Sequence, residues 1–350
     1  MGLAEPVFRA ARRLAVGLVC AAAVLSHPLS DGRAGTLDTV RERGMLNCGV
    51  GDLGRYLAGT DGQGRWVGFF PDLCRALAAA VLKDPEAVNF MPASLRVRLD
   101  GLKSGDMDVL MTPTTWTLDR EADLGLSFPV VVLYDGQGFL AESADVAGAM
   151  KRNVPLRICA VEGTTSERNL ADDIRAKHRP WTIVPFKTRQ GRNEAMLQNR
   201  CDVLTGDRLD LVEVRELLRA HGRALVLLPD TVSREPVGPT VRQNDPQWIS
   251  VVRWVVQALM LGEEKGITAA IAADPSRVTG DDETMRLLGR PAEPGVSLGL
   301  EPGWAVRALA AVGNYGELFD RYFGSGGLKL ERGVNALWRD GGLLYPLPFR

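Results

Sequence analysis

Two successive stretches of this 350-residue chain alternate short apolar strands with helices, and that alternation constrains the fold more than any other feature. After Gly35, Thr36–Arg43 predicts a helix closed by Gly44, and Met45–Val50 a strand. Phe69–Leu82 carries Leu73, Leu77, Ala80 and Val81 on one helical face. Ala87–Met91 follows as a strand, Arg96–Ser104 as a helix stopped by Gly105, and Val109–Thr112 as a strand. A second unit begins near Ala144: strand Leu156–Val161, turn Gly163–Thr165 and helix Ser166–Lys177. It continues with strand Trp181–Phe186, helix Gly191–Asn199 and strand Cys201–Thr205. Asp106–Leu110 (DMDVL) and Arg200–Leu204 (RCDVL) occupy matching places in the two units. Such a rhythm requires α/β architecture, with mostly parallel sheets flanked by helices.

Two segments suit a link between the units: the glycine-rich Asp135–Ala141, and Asp230–Arg242 with its prolines. If the second returns the chain to the first unit, the smaller lobe is inserted. Residues 36–140 plus 236–350 then form lobe 1, residues 141–235 form lobe 2, and the hinge is two-stranded. Ligands bind beyond the carboxyl ends of parallel strands, so the cleft between two such lobes is the natural site. From Gln247 the chain is helix-rich, with a strongly apolar Trp248–Leu261.

The formal net charge is −1, and no run of five like charges occurs, which argues against a nucleic-acid partner. Three histidines, His27, His178 and His221, leave little for imidazole catalysis or a polyhistidine metal site. Arg9, Arg12 and Arg13 precede an apolar run from Leu14 to Leu25, the size of a signal-peptide core and short for a membrane span. Residues 1–26 are therefore expected to direct export to the periplasm and to be cleaved, after Ser26 or close to it. The four later cysteines, Cys48, Cys74, Cys159 and Cys201, are an even set, and an oxidising compartment makes two disulfides reasonable. Three pairings are possible. The sequential one keeps each bridge inside one unit, and four buried thiols are the alternative. No C-x-x-C spacing suggests zinc.

Three strand-to-helix turns hold candidate ligand groups. In Thr114–Arg120 (TTWTLDR), Arg120 offers a planar fork for a carboxylate, Thr115 a donor, and Trp116 an apolar face. The plainer alternative is that Thr117 caps a helix and Arg120 pairs with a surface acid. In Glu162–Glu167 (EGTTSE), Thr164 and Glu167 have capping-box spacing, which leaves Thr165 free to face a cleft at a helix N-terminus. Asp207, in LTGDR after the Cys201–Thr205 strand, can receive an ammonium or serve as a cap. A guanidinium, hydroxyls and a carboxylate at equivalent strand ends fit one ligand class together, the free α-amino acids.

At these segments the chain resembles the periplasmic solute-binding proteins of polar amino-acid ABC transporters, above all the general L-amino-acid-binding branch. The likeness runs from about Thr36 to Arg350. It covers TLDTVRERGMLNCGV, SGDMDVL with TTWTLDR, YDGQGF at 134–139, CAVEGTTSERNLAD, RCDVLTGD and SREPVGPTVRQNDPQW. It ends with AVGNYGELFDRYFG and NALWRDGGLLYPLPFR. The resemblance implies the type II periplasmic-binding-protein fold, two lobes that close on ligand about two crossover strands. It implies that Arg120, helped by Thr115 and Thr165, holds the ligand carboxylate, and that Asp207 holds the ammonium. Pro113, Phe70, Leu57 and Arg208–Leu209–Asp210 depart from the family pattern, which bears on side-chain specificity.

The resulting expectation is a monomeric, non-enzymatic receptor without cofactor or metal, with Thr115, Trp116, Arg120, Thr164, Thr165 and Asp207 as ligand residues. It would deliver L-amino acids to an inner-membrane permease. Two rivals stand beside it. One is a periplasmic dehydratase-like enzyme on this scaffold, with Glu162 or Asp210 as general acid. The other is an amino-acid sensor that has lost transport.

Overall fold

The computed structural model describes residues 35–94, 97–290 and 295–350. The expected signal segment lies outside the described residues. Thr36–Arg43 forms α1 and Leu46–Val50 forms β1. A short hairpin of β2 (Gly59–Thr60) and β3 (Trp66–Val67) leads into α2, Phe69–Leu82. Then come β4 (Val88–Pro92), α3 (Arg98–Ser104) and β5 (Val109–Met111). β1 lies between β4 and β5, parallel to both, with Leu46 beside Val88 and Cys48 beside Val109. Helix α2 is buried almost end to end, so its sequence is apolar nearly all round rather than on one stripe.

The second sheet takes β8 (Gln137–Ala141), β9 (Leu156–Val161), β10 (Trp181–Phe186), β11 (Val203–Asp207) and β12 (Val226–Leu227), in the order β10-β9-β11-β8-β12. β9, β10 and β11 are parallel, whereas β8 runs antiparallel to β11 and β12. Its helices are α4 (Asp145–Lys151), α5 (Thr165–Ala176), α6 (Arg189–Leu197) and α7 (Arg208–Ala220). Separate apolar clusters on the two sides of this sheet centre on Leu140, Cys159 and Leu204, and on Phe139, Ile158 and Val203. That division follows from the alternation of side chains along each strand.

The chain passes between the sheets twice. The two passages pair antiparallel: β7 (Leu133–Asp135) lies against β13 (Glu235–Val237), with Glu235 opposite Asp135. Further along, β6 (Leu126–Ser127) pairs with β14 (Val241–Arg242). The long α8, Pro246–Glu264, then returns across the first sheet. Asp245 caps it by accepting from the Trp248 amide at 2.9 Å and also accepts from the Thr36 amide at 2.7 Å. Trp304, Tyr315, Phe323 and Phe349 from the last third of the chain complete the same core. Disulfides join Cys48 to Cys74 and Cys159 to Cys201, the sequential pairing. No described helix is long and apolar enough to cross a membrane.

Candidate ligand-binding site

The carboxyl ends of β9 and β11 and the turns after β5 and β9 line a cavity of about 20 Å³. Thr115, Arg120, Thr164, Thr165 and Asp207 line it, together with Arg98, Pro113, Arg189, Arg192 and Asp210. A space of that size holds about one water, so an amino acid enters only when the two sides part.

Each side chain has a local reason for its place. The 114–117 turn is fastened to the returning passage: the Trp116 amide donates to Pro236 O at 2.8 Å, and Thr115 bridges Val237. Arg120 sits on a single π-helical turn, Asp119–Asp123, of a kind often found at functional sites. It is buried, and its Nη1 donates to the Thr115 carbonyl. Thr117 donates to the Asp119 carboxylate and does not cap that turn. Thr164 is the N-cap of α5: its hydroxyl accepts from the Glu167 amide at 3.1 Å and donates to Val161 O at 2.7 Å. The Glu167 carboxylate accepts from Gly163 rather than from Thr164, so the capping box is only half formed. Asp207 stands at the N-cap position of α7, yet its side chain caps nothing there. It accepts from Ser166 Oγ at 3.3 Å, which leaves most of the carboxylate's capacity toward the cavity.

Trp116 is the named residue that the cavity does not include. The residue is 38% exposed, and its indole stacks on Phe128 at 5.7 Å and donates to Glu121. An aromatic after two threonines cannot be assigned to cleft or surface without knowing which way the turn faces.

Further residues share the site, among them Glu235, which the sequence did not single out, and Asp210, which it named only as a candidate general acid and a departure from the family pattern. Glu235 in β13 is 2% exposed and accepts from Thr115 Oγ1 at 3.0 Å and Thr165 Oγ1 at 3.3 Å. One carboxylate of the returning passage therefore ties turns from both sheets. Asp210 is buried between Arg192 at 3.0 Å and Arg189 at 3.3 Å. Burial pushes its carboxyl up, but the two guanidiniums outweigh burial and hold it below its ordinary value. Gly206 lies close beside it, and a Cβ there would press on Arg192 Nη1. Burial, then repulsion from Glu235, raises the Asp207 carboxyl; burial, then repulsion from Asp207, raises that of Asp135. Of these three crowded carboxylates Asp207 lines the cavity, and their shared negative charge favours a cation beside it.

Arg208 does not face the cavity. Its guanidinium donates to Leu228 O at 2.9 Å and Asp230 O at 3.2 Å, while its amide donates to Gly136 O at 2.9 Å. The Leu209 amide donates to Asp135 at 3.2 Å. The start of α7 is thus fastened to both interlobe passages. Leu57 is buried in the first core, and Tyr56 beside it lines a groove of about 640 Å³ at the mouth of the site. There Glu213 of α7 accepts from the Tyr56 amide at 3.1 Å and the Leu57 amide at 3.4 Å. Gly54, with φ +97°, permits this approach, because a Cβ would overlap the Glu213 carboxylate. Among the described residues no His/Cys/Asp/Glu cluster could hold a metal.

Two α/β lobes, joined by paired passages and enclosing a charged cavity at their strand ends, define a two-lobed solute-binding protein. The chain belongs to the bacterial extracellular solute-binding proteins, family 3, whose model matches residues 56–269. It is 40% identical, over 94% of its length and 97% of the relative's, to the general L-amino acid-binding periplasmic protein AapJ of Rhizobium johnstonii. It is 39% identical to the glutamate/glutamine/aspartate/asparagine-binding protein BztA of Rhodobacter capsulatus, over 95% of this chain and 98% of that one. A periplasmic binding protein of an ABC transporter from Brucella ovis, solved with glutathione bound, is 41% identical with a TM-score of 0.84. That match covers 91% of this chain and 100% of the Brucella chain.

Proposed function

We propose that this chain is an exported, non-enzymatic receptor that captures free L-amino acids between its lobes and presents them to an ABC-transporter permease. The observation that carries the reading is that Arg120, which is buried, and Asp207, which is half-buried, line one cavity, each short of partners. Arg120, with Thr115 and Thr165, receives the carboxylate, and Asp207 receives the ammonium. Thr164 contributes as the cap that orients the start of α5. The lobes are residues 36–140 plus 236–350, and 141–235; the pairing of β8 in the second sheet supports moving the first boundary to about Gly136. Residues 1–26 are proposed as the cleaved signal, and the mature protein as a periplasmic monomer. Asp210, held ionised by two arginines, is a poor general acid, which weighs against the enzymatic rival.

Glutathione is a second reading, favoured by a groove of about 1000 Å³ that shares Thr115 and Thr165 with the cavity. A thermal-shift screen of the ligand-free mature protein against the twenty L-amino acids and glutathione tests both. A raised melting temperature with amino acids is expected. No shift with any amino acid would overturn the first reading, and a shift with glutathione alone would establish the second.

A further inference from the structure

Resting on the amino-acid reading above, we infer that Arg98 anchors a second carboxylate, so that the cavity selects acidic amino acids over their amides. Arg98 opens α3 and is 6% exposed, yet it lines the cavity. Its only hydrogen bond there is a long one, Nη1 to Thr112 Oγ1 at 3.5 Å, and its buried Nε has no partner. Among the described residues no carboxylate lies within 4.0 Å of it. Each of the other cavity arginines has a partner or a proposed role, although Arg189 and Arg192 have only one carboxylate between them. Arg189 and Arg192 share Asp210, while Arg120 and Asp207 take the two backbone charges of a zwitterion. A neutral amino acid leaves Arg98 buried and uncompensated, which is costly. A ligand with a side-chain carboxylate neutralises it, and the guanidinium fork suits that group.

Burial, with repulsion from Arg120 and then Arg189, pushes Arg98 down to about 9, so it remains a cation at neutral pH. Its location on the first-sheet side is also apt. Asp207 and Thr165 belong to the second-sheet side, so a ligand held by them shares one cavity with Arg98.

The experiment is isothermal titration of the ligand-free protein with L-glutamate and L-glutamine, which match in shape and differ in side-chain charge. The wild type should prefer glutamate by about tenfold or more. Arg98→Gln should weaken glutamate by about tenfold while moving glutamine by less than about threefold. Arg98→Lys, which keeps the charge in the core if the glutamine variant does not fold, should retain the preference for glutamate. Equal affinity of the wild type for both ligands, or equal loss of both in Arg98→Gln, would overturn the inference while leaving the amino-acid reading intact. Binding of no amino acid at all would remove both.

Discussion

Arg120 is buried and Asp207 half-buried, each without a full set of partners, so under the proposed reading the free protein carries a desolvation cost that a zwitterion relieves. Arg120→Ala should therefore weaken amino-acid binding by about 2–5 kcal/mol, measured by titration, with little change in melting temperature of the unliganded protein. These residues were legible because each follows an apolar strand, and strand ends in α/β sheets face the ligand crevice. Arg98, Arg189 and Arg192 were not. An arginine in a helix ordinarily lies on the solvent face, and only the packing of α3 and α6 turns these three inward. Glu235 was hidden for a related reason: a Ser-Arg-Glu-Pro segment reads as a link, and its hydrogen bonds to threonines 120 and 70 residues away exist only in three dimensions.

At the scale of elements, apolar runs and turn residues located the strands and helices well. Phe69–Leu82, Leu156–Val161 and Trp181–Phe186 begin and end where the sequence predicts. The α6 helix starts two residues earlier than expected, at Arg189, because Thr188 caps it by accepting from the Gly191 amide. The hairpin of β2 and β3 and the π-turn at Arg120 had no periodic signal, being too short to show one. The Cys159–Cys201 bridge pins β9 to the approach of β11, whose ends form the ligand crevice. Replacing both cysteines by alanine should lower stability by about 2–4 kcal/mol in chemical denaturation. Asp245→Ala removes the cap of α8 and the tie to α1 together, and should lose about 1–2 kcal/mol in the same measurement.

Across the whole molecule, Glu213 of α7 lies on the backbone of residues 56 and 57, a contact that lobe opening would break. Burial raises its carboxyl to about 7, although the two amide bonds and Arg55 pull it down and Asp210 pushes it up. Glu216, His221 and Arg189 also line the groove around it. A raised acid favours the closed form while protonated: its contribution is complete below about 4.5 and is lost as pH rises through about 7. Thermal stability should therefore fall between about pH 5 and pH 8 by more in the wild type than in Glu213→Gln, which keeps an acceptor without the charge. An identical pH profile in the two proteins would count against this latch. The attachment of α7 to both passages has a further consequence. Asp207 is one peptide bond from Arg208, which grips Leu228 and Asp230, so the proposed ammonium anchor is tied to the returning passage. During divergence within such a lineage, that half of the cleft has little freedom to drift, because any displacement would also retune opening. Changes of ligand repertoire should then accumulate on the opposite wall, at Arg98 and the loop carrying Tyr56.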